Sequence, residues 1–296
     1  MKDYCKYLID IQATIRDALV ALNNLSHDVL VLFVMDDKQK IVGTLTDGDI
    51  RRYLIGGGDV NGVVMDAMQT NFHFVQSNVS LSLIRDYKKR GISLIPCLDT
   101  DGHLLKVIDL KNKKSLLPID AVLMAGGKGE RLRPLTEKVP KPLLHVGDKA
   151  IIDYNIERLI SYGVEHISVT VNYLHEQIEE HFKECRDGIQ IKCICEPKYL
   201  GTIGSVKFVD TFYNDAVLIM NSDLFTNIDY EDFYLHFREH DADMSVAAVP
   251  YSISVPYGIF ELEGRNIEGV REKPTYNYYA NAGIYLIKKN IWTRFR

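Results

Sequence analysis

A glycine-rich stretch followed by cations is the part of this sequence best equipped for chemistry. An apolar run of strand length, residues 119–125, is followed directly by Gly126, Gly127 and Gly129. Glycines at such a bend let the backbone lie close to a ligand, and free N–H groups in the turn suit an anion, most often phosphate. Arg131 and Lys141 then supply the charge that a polyphosphate needs. The stretch predicts a polyphosphate-binding loop.

Two better-known phosphate loops do not fit this stretch. The dinucleotide-binding fingerprint needs a third glycine that is missing here, and a P-loop needs Ser or Thr where Lys128 is followed by Gly129. An ordinary strand-to-loop turn would explain three glycines alone. It does not explain the cations, or the prolines on either side of Lys141 that fix the backbone around that ammonium.

An acidic residue lies at the end of a second apolar strand. Asp223 follows residues 216–220, so its carboxylate is expected at the ligand-binding edge of a sheet, where a hard oxygen ligand suits Mg²⁺. A strand-end Asp standing alone is more often a helix cap or a turn former. Its position beside a polyphosphate loop favours the metal.

A second carboxylate is suited to reading a base. Glu196 can accept two hydrogen bonds, and guanine offers the paired donors N1–H and N2–H, whereas uracil and thymine present an acceptor–donor–acceptor edge. Glu196 therefore favours guanine. Backbone groups near Gly201 are the alternative reader.

The pattern G-G-x-G-x-R-L-x-P-L-T-x-x-x-P-K-P-L, from Gly126 to Leu143, resembles the signature of the sugar-1-phosphate nucleotidyltransferases. The resemblance covers roughly residue 118 to the C-terminus. It implies transfer of a nucleotidyl group from an NTP to a sugar 1-phosphate with release of pyrophosphate, without a covalent enzyme intermediate. It implies four catalytic residues: Arg131, Lys141, Lys273 and the Mg²⁺ ligand Asp223. It also implies nucleotide contacts from Leu123, Ala125, Gly126, Gly127, Gly129, Glu196, Gly201 and Thr202.

Three motifs further along resemble the family's sugar-facing segments, and they imply sugar contacts from Gly258, Glu272 and Asn281. Read alone, Glu272 and Lys273 would be ordinary surface charge. The family usually carries a second metal-binding Asp in a W-x-D-x-G segment, and Trp292 is not in that context. This departure predicts a nucleotidyltransferase domain over 116–296 that is incomplete at its C-terminus.

Residues 1–115 form a separate unit in which one pattern occurs twice. Each half offers a helix, a strand, a turn and a second strand, at a period of about 60 residues. The segment from Gly43 to Arg52 resembles the hallmark of a CBS domain, and the resemblance implies that Thr46 and Asp49 bind AMP or ATP. Both are also good helix-capping residues, which is the competing interpretation. The second half departs from the pattern, with Asp109 and Asn112 at the equivalent positions.

Composition narrows the classes of protein. A net charge of −5 argues against a nucleic-acid binder, and no apolar run approaches the roughly 18 residues of a membrane span. The N-terminus is no secretory signal. The five cysteines show no metal-binding spacing, which favours a reducing, cytoplasmic compartment.

The sequence therefore predicts an α/β protein: an open, mostly parallel Rossmann-like sheet preceded by a smaller α/β CBS-domain pair. The combination is similar to the glucosamine-1-phosphate guanylyltransferases, with mannose- and heptose-1-phosphate guanylyltransferases as the nearest alternative. The expected partners are GTP and a sugar 1-phosphate, and a homodimer is expected because CBS pairs often associate. The competing function is an adenine-nucleotide sensor with a non-catalytic transferase domain.

Overall fold

The computed structural model describes residues 4–25, 28–76, 79–197, 201 and 203–293. The chain divides into two compact units. The first comprises Met1–Leu117 with Ile160–Gly163, and the second comprises Pro118–Leu159 with Val164–Arg296. Among the described residues no helix is both long and apolar enough to cross a membrane.

The first unit contains a three-stranded sheet and a two-stranded one. Its elements, in chain order, are a short 3-10 turn (Tyr4–Tyr7), β1 (Leu8–Asp10), α1 (Ile15–Asn24), β2 (Val31–Met35), β3 (Ile41–Thr46), α2 (Asp47–Ile55), a 3-10 turn (Val64–Asp66), α3 (Leu81–Lys89), β4 (Leu94–Leu98) and β5 (Leu104–Asp109). β1 pairs parallel to β2, and β2 pairs antiparallel to β3. The antiparallel pair β4–β5 gains a parallel bridge between Val75 and Cys97, so each half repeats one arrangement.

The two halves of this unit share one hydrophobic core. Leu94, Leu98 and Val107 of the second half pack in the same cluster as Phe33 and Leu45 of the first. The halves differ in one respect: α2 follows β3, whereas the described chain after β5 continues without a helix to the second unit.

The second unit is built on a six-stranded sheet. Its strands are β6 (Ile119–Met124), β9 (His166–Val171), β10 (Lys192–Cys195), β11 (Ala216–Asn221), β12 (Met244–Ser254) and β15 (Thr275–Lys288), in the order β10-β9-β6-β11-β15-β12. Four are mutually parallel, whereas β15 runs antiparallel to both β11 and β12. The predicted mostly parallel α/β sheet is confirmed.

The remaining elements of this unit surround the sheet. They are short 3-10 turns (Glu130–Leu132, Leu135–Glu137, Lys141–Leu143 and Gly204–Phe208), the hairpin β7 (His145–Val146) and β8 (Lys149–Ala150), α4 (Ile151–Ser161), α5 (His175–His181), α6 (Tyr230–Glu239), the hairpin β13 (Ile259–Glu263) and β14 (Asn266–Arg271), and α7 (Lys289–Thr293). α4 shows the expected apolar spacing, with Ile152, Ile156 and Leu159 all buried.

The order of the strands determines where a ligand can bind. From β6 the chain moves outward to β9 and β10, and then returns to form β11 on the other side of β6. This reversal creates a crevice at the carboxyl ends of β6 and β11, which is where open α/β sheets bind their ligands.

Candidate active site

The crevice is formed by two loops that leave neighbouring strands side by side. Met124 and Asn221 are paired at the ends of β6 and β11. Beyond them, Ser222 donates twice to the carbonyl oxygen of Met124, from its backbone N at 3.2 Å and from its Oγ at 2.8 Å. The glycine loop and the segment with Asp223 are therefore fixed to one another at their origin.

The glycine loop turns back on itself at Gly129. This residue has φ of +62°, and a Cβ there would lie 2.9 Å from Cγ2 of Thr136 and 3.2 Å from Cβ of Lys141. Thr136 is buried and donates from Oγ1 to the carbonyl oxygen of Gly129 at 2.8 Å. Glycine is required here both by its conformation and by the lack of space. The turn brings the predicted cation Lys141 beside the loop.

Lys141 and Asp223 form an ion pair in the crevice. Their side chains are 35% and 24% exposed, so both groups face the open space. Lys141 starts a short 3-10 turn between Pro140 and Pro142, which limits the directions its side chain can take. A cation and a carboxylate that lie 82 residues apart in sequence, and that the sequence predicts to act in one reaction, are thus in contact.

Glu196 forms a buried wall of the same crevice. The residue is 3% exposed, its backbone N donates to the carbonyl oxygen of Val171 at 2.9 Å, and its own carbonyl accepts from Nδ2 of Asn172 at 3.0 Å. A Cβ on Gly126 would lie 2.7 Å from Oε1 of Glu196. The missing side chain at Gly126 therefore makes room for this carboxylate.

Together these segments line a cleft of about 700 Å³. Nine of the sequence-predicted site residues lie in its lining: Ala125, Gly126, Gly127, Gly129, Arg131, Lys141, Glu196, Gly201 and Asp223. Leu123 does not line it, because its side chain is fully buried in β6. Thr202 lies outside the described residues.

The predicted sugar-facing residues lie elsewhere in the second unit. Gly258 and Glu272 are neighbours, since a Cβ on Gly258 would lie 3.0 Å from Oε2 of Glu272. Lys273 has φ of +45° and follows β14. Asn281 lies in β15, where its Oδ1 accepts from the backbone N of Gly283 at 2.9 Å. The structure does not bring these four residues to the lining of the cleft.

Gly283 connects Asn281 to the cleft. It has φ of +73°, and a Cβ built on it would collide with the side-chain amide of Asn221, which does line the cleft. The segment that carries Asn281 is therefore packed directly behind the cleft wall.

In the first unit, Thr46 and Asp49 hydrogen-bond to each other. The Thr46 hydroxyl and backbone N donate to Oδ2 of Asp49 at 2.5 and 2.9 Å, and the backbone N of Asp49 donates back to Oγ1 of Thr46 at 3.3 Å. Arg52 and Gln69 donate to the other carboxylate oxygen at 2.6 and 3.1 Å. Both residues thus form a capping box at the start of α2.

These hydrogen bonds alter the ionisation of Asp49. Burial would raise the pKa of its carboxyl group, but the hydrogen bonds from Thr46, Arg52 and Gln69 outweigh it and hold the pKa below its ordinary value. At the equivalent place in the second half, Asn112 donates from Nδ2 to Asp109 at 2.7 Å. The adenine-nucleotide site stays a prediction.

Sequence reasoning missed several residues of the cleft. Lys128, Asn172, Ser205, Asn221 and Ser222 all line it. Ser222 and Asn221 lie beside Asp223 and could have been found from that proximity. Asn155 was missed for another reason: it is a buried polar residue on the apolar face of α4, where the pattern predicts only core.

Comparison with known proteins supplies independent information. A model of the nucleotidyl transferase family matches residues 120–295, and a model of the CBS domain matches residues 7–56. The mannose-1-phosphate guanyltransferase beta-B of Xenopus laevis is 30% identical over 185 residues, which are 60% of this chain and 51% of that protein. The D-glycero-alpha-D-manno-heptose 1-phosphate guanylyltransferase of Campylobacter jejuni is 28% identical over 179 residues, covering 60% and 79%.

A solved structure of HddC from Yersinia pseudotuberculosis overlaps with 58% of this chain and 77% of that chain, at 25% identity and a TM-score of 0.46. The chain spans about half the length of the first curated relatives it matches.

Proposed function

Because the chain belongs to the nucleotidyl transferase family, and carries a CBS domain in its first unit, we propose that it transfers a guanylyl group from GTP to a sugar 1-phosphate. The sugar is proposed to be glucosamine 1-phosphate or a related hexose 1-phosphate. The products are pyrophosphate and a GDP-sugar.

The observation that carries the proposal is the convergence of three functions in one cleft. The glycine loop supplies backbone donors, Arg131 and Lys141 supply positive charge, and Asp223 supplies a carboxylate in contact with Lys141. A polyphosphate needs donors and cations, and its transfer needs the charge of the leaving pyrophosphate to be neutralised. An ordinary turn would not gather these groups from residues 126 to 223.

The proposed reaction is a single in-line displacement. A phosphate oxygen of the sugar 1-phosphate forms a bond to the α-phosphorus of the nucleotide, and the bond from that phosphorus to the bridging oxygen of the β-phosphate breaks. The electron pair leaves with pyrophosphate. Lys273 holds the attacking phosphate, while Arg131 and Lys141 stabilise charge on the leaving group. Catalysis is then positioning and electrostatics.

Asp223 fits a divalent metal. Members of this family generally use one, and we propose Mg²⁺, which binds through one or two carboxylates and completes its shell with phosphate oxygens and water. The Asp223 carboxylate is partly exposed and faces the same space as the glycine loop, so a metal held there would neutralise phosphate charge. Lys141, its present partner, would then be free to contact phosphate.

Two features support guanine as the base. Glu196 places a buried carboxylate at the cleft wall beside Gly126, where it can accept from N1–H and N2–H of guanine. The relatives from Xenopus laevis and Campylobacter jejuni are both guanylyltransferases by name. They differ in their sugar, so mannose and heptose 1-phosphates are included among the candidate substrates.

The proposal assigns residues 1–115 to a tandem CBS pair that regulates or dimerises, with AMP or ATP as candidate ligand and a homodimer as the candidate assembly. The repeated strand arrangement supports the tandem pair. We also propose a cytoplasmic location, because all five cysteines are free thiols, which suits a reducing compartment.

The first experiment measures thermal stability with Mg²⁺ and each of GTP, UTP, CTP, dTTP, ATP and AMP. A ligand that binds only the folded state raises its stability by RT ln(1 + [L]/Kd). We expect GTP to give the largest shift, and pyrophosphate release with a panel of sugar 1-phosphates then identifies the acceptor. A shift with AMP or ATP alone would overturn the proposal in favour of a nucleotide sensor.

A further inference from the structure

A buried amide on α4 reaches the loop that carries Asp223. Asn155 is 2% exposed and lies on the same face of the helix as Ile152, Ile156 and Leu159. A polar side chain in such a position is costly unless its hydrogen-bonding groups are satisfied. Its partners therefore indicate why an amide is found where the pattern calls for an apolar residue.

The side-chain nitrogen of Asn155 is surrounded by three carbonyl oxygens. Nδ2 lies 2.8 Å from the carbonyl oxygen of Leu224, 3.2 Å from that of Ser222 and 3.4 Å from that of Ile151. An amide nitrogen has two hydrogens, and the longest contact lies beyond the usual range of an N–H···O bond. The two hydrogens are thus best matched to Ser222 and Leu224.

These two acceptors are the residues immediately before and after Asp223. One amide group therefore holds the backbone on both sides of the carboxylate-bearing residue. Ser222 is held from the opposite direction by its two hydrogen bonds to Met124. With both flanking peptide groups fixed, the direction in which the Asp223 side chain leaves the backbone is fixed as well.

We propose that Asn155 is a positioning residue for the metal and nucleotide site: it holds the backbone around Asp223 so that the carboxylate meets the metal in the cleft. The inference rests on the proposed role of Asp223. Asn155 does not line the cleft and is not expected to touch substrate. It acts as the outer-layer partners of metal ligands do, and loss of such a partner commonly weakens metal binding about 10- to 100-fold.

A purely structural role would look different. If Asn155 only held α4 against its neighbours, its replacement would lower stability and affect every ligand alike. The positioning role instead weakens the part of nucleotide binding that depends on metal. The informative quantity is therefore the ratio of the affinity for GTP with Mn²⁺ to the affinity for GTP in EDTA, measured on the same protein.

The test compares Asn155→Leu and Asn155→Asp with the wild-type chain and with Asp223→Asn. Leucine keeps the approximate volume and removes the donor, whereas aspartate keeps the shape and turns an oxygen toward the two carbonyl groups. We expect both to reduce the Mn²⁺-dependent gain in GTP affinity by about 10- to 100-fold, while GTP affinity in EDTA stays within about twofold. Aspartate should have the larger effect.

Arg158→Met is the matched control. Arg158 lies one turn further along α4 and donates to the carbonyl oxygen of Ile228, beyond the stretch that flanks Asp223. This variant should change thermal stability and leave the Mn²⁺-dependent gain as in the wild type. It separates general loosening of α4 from loss of positioning.

The outcomes separate the two levels of the proposal. If Asp223→Asn loses the Mn²⁺-dependent gain and both Asn155 variants keep it, the positioning role is overturned and the proposed metal site stands. A wild-type chain that gains nothing from Mn²⁺, or an Asp223→Asn chain that keeps the gain, overturns both. If one Asn155 variant does not fold, the other gives the same comparison.

Discussion

The two units each place an aspartate just after a strand, and the two carboxylates have opposite surroundings. The Asp49 carboxylate is 4% exposed and accepts hydrogen bonds from Thr46, Arg52 and Gln69. The Asp223 carboxylate is 24% exposed, faces a cleft and is paired with Lys141. Both were predicted to bind nucleotide or metal from similar sequence arguments.

The difference shows what turns a strand-end aspartate into a ligand. Asp49 is the third residue of a helix that begins directly after the strand, so its side chain folds back to cap that helix. After β11 no helix begins until Tyr230, so Asp223 lies in a loop with no helix start to cap. A carboxylate needs both a loop and an open space before it can serve a ligand.

The largest effect on this comparison is expected from Asp223→Asn. The amide cannot supply the negative charge that binds a metal, so pyrophosphate release should fall about 10³-fold, in keeping with the several kcal/mol that a metal contributes to such reactions. Steady-state kinetics with GTP and the best sugar 1-phosphate would measure it. Circular dichroism should show a folded chain, and a rate within threefold of wild type would remove Asp223 from the mechanism.

Arg131→Ala should have the next largest effect. Loss of one preorganised charge at the leaving group is expected to lower kcat about 10²- to 10³-fold, while the thermal midpoint changes little because Arg131 is exposed. Arg133→Ala is a suitable control, since that side chain is exposed, lies near Glu130 and does not line the cleft. Equal losses in the two variants would contradict a specific role for Arg131.

Glu196→Gln should alter base choice more than rate. A carboxylate that accepts from both guanine donors is worth about 1–3 kcal/mol over a wrong base, so the preference for GTP over UTP should fall about 10- to 100-fold. Competition between the two nucleotides in a binding assay measures the change. Gly126→Ala offers a second route, because its Cβ would displace Oε1 of Glu196. An unchanged preference in both variants would assign base reading to the backbone.

Thr46→Ala tests the other side of the comparison. Loss of the cap should cost about 1 kcal/mol of stability and leave pyrophosphate release unchanged. Chemical denaturation followed by circular dichroism measures the cost. A chain that AMP stabilises only when Thr46 is present would instead show that the capping box opens to bind nucleotide, and the contrast between the two aspartates would fail.

The smallest effect is a pH dependence from Asp49. Its pKa lies below the ordinary value in the folded chain, so its hydrogen bonds stabilise the fold fully above about pH 4 and are lost as the pH falls through the lowered pKa. Asp49→Asn should remove this part of the acid dependence of the free energy of unfolding. Identical slopes below pH 4 in the two proteins would contradict it.

Strands were the most predictable elements. The strands expected at 41–46, 94–98 and 166–171 appear with those bounds, because each is a short apolar run between turn residues. Helix α5 is shorter than the expected 173–185, since Leu174 has φ of +50° before its start and the chain turns again from Phe182. A local left-handed residue leaves no signal in apolar spacing.

The ribbon of β12 and β15 was the least predictable. A strand was expected only over 243–249, yet β12 continues to Ser254, with largely exposed side chains that lose the alternation on which prediction relies. The glycine loop and Asp223 could be predicted because their types and spacing are unusual. Asn155 could not, because its importance lies in which carbonyl groups it meets, and those are 67 and 69 residues away.

The hydrogen bond from Ser222 to Met124 spans 98 residues of chain, and the strands it joins are parallel. Parallel pairing at such separation requires closure of a long loop before any contact is gained, and it is a slow event in folding. The cleft therefore does not exist in a partly folded chain, even one whose glycine loop has been synthesised. Nucleotide binding during refolding would then report the late docking of β11 onto β6, and its rate would measure that step directly.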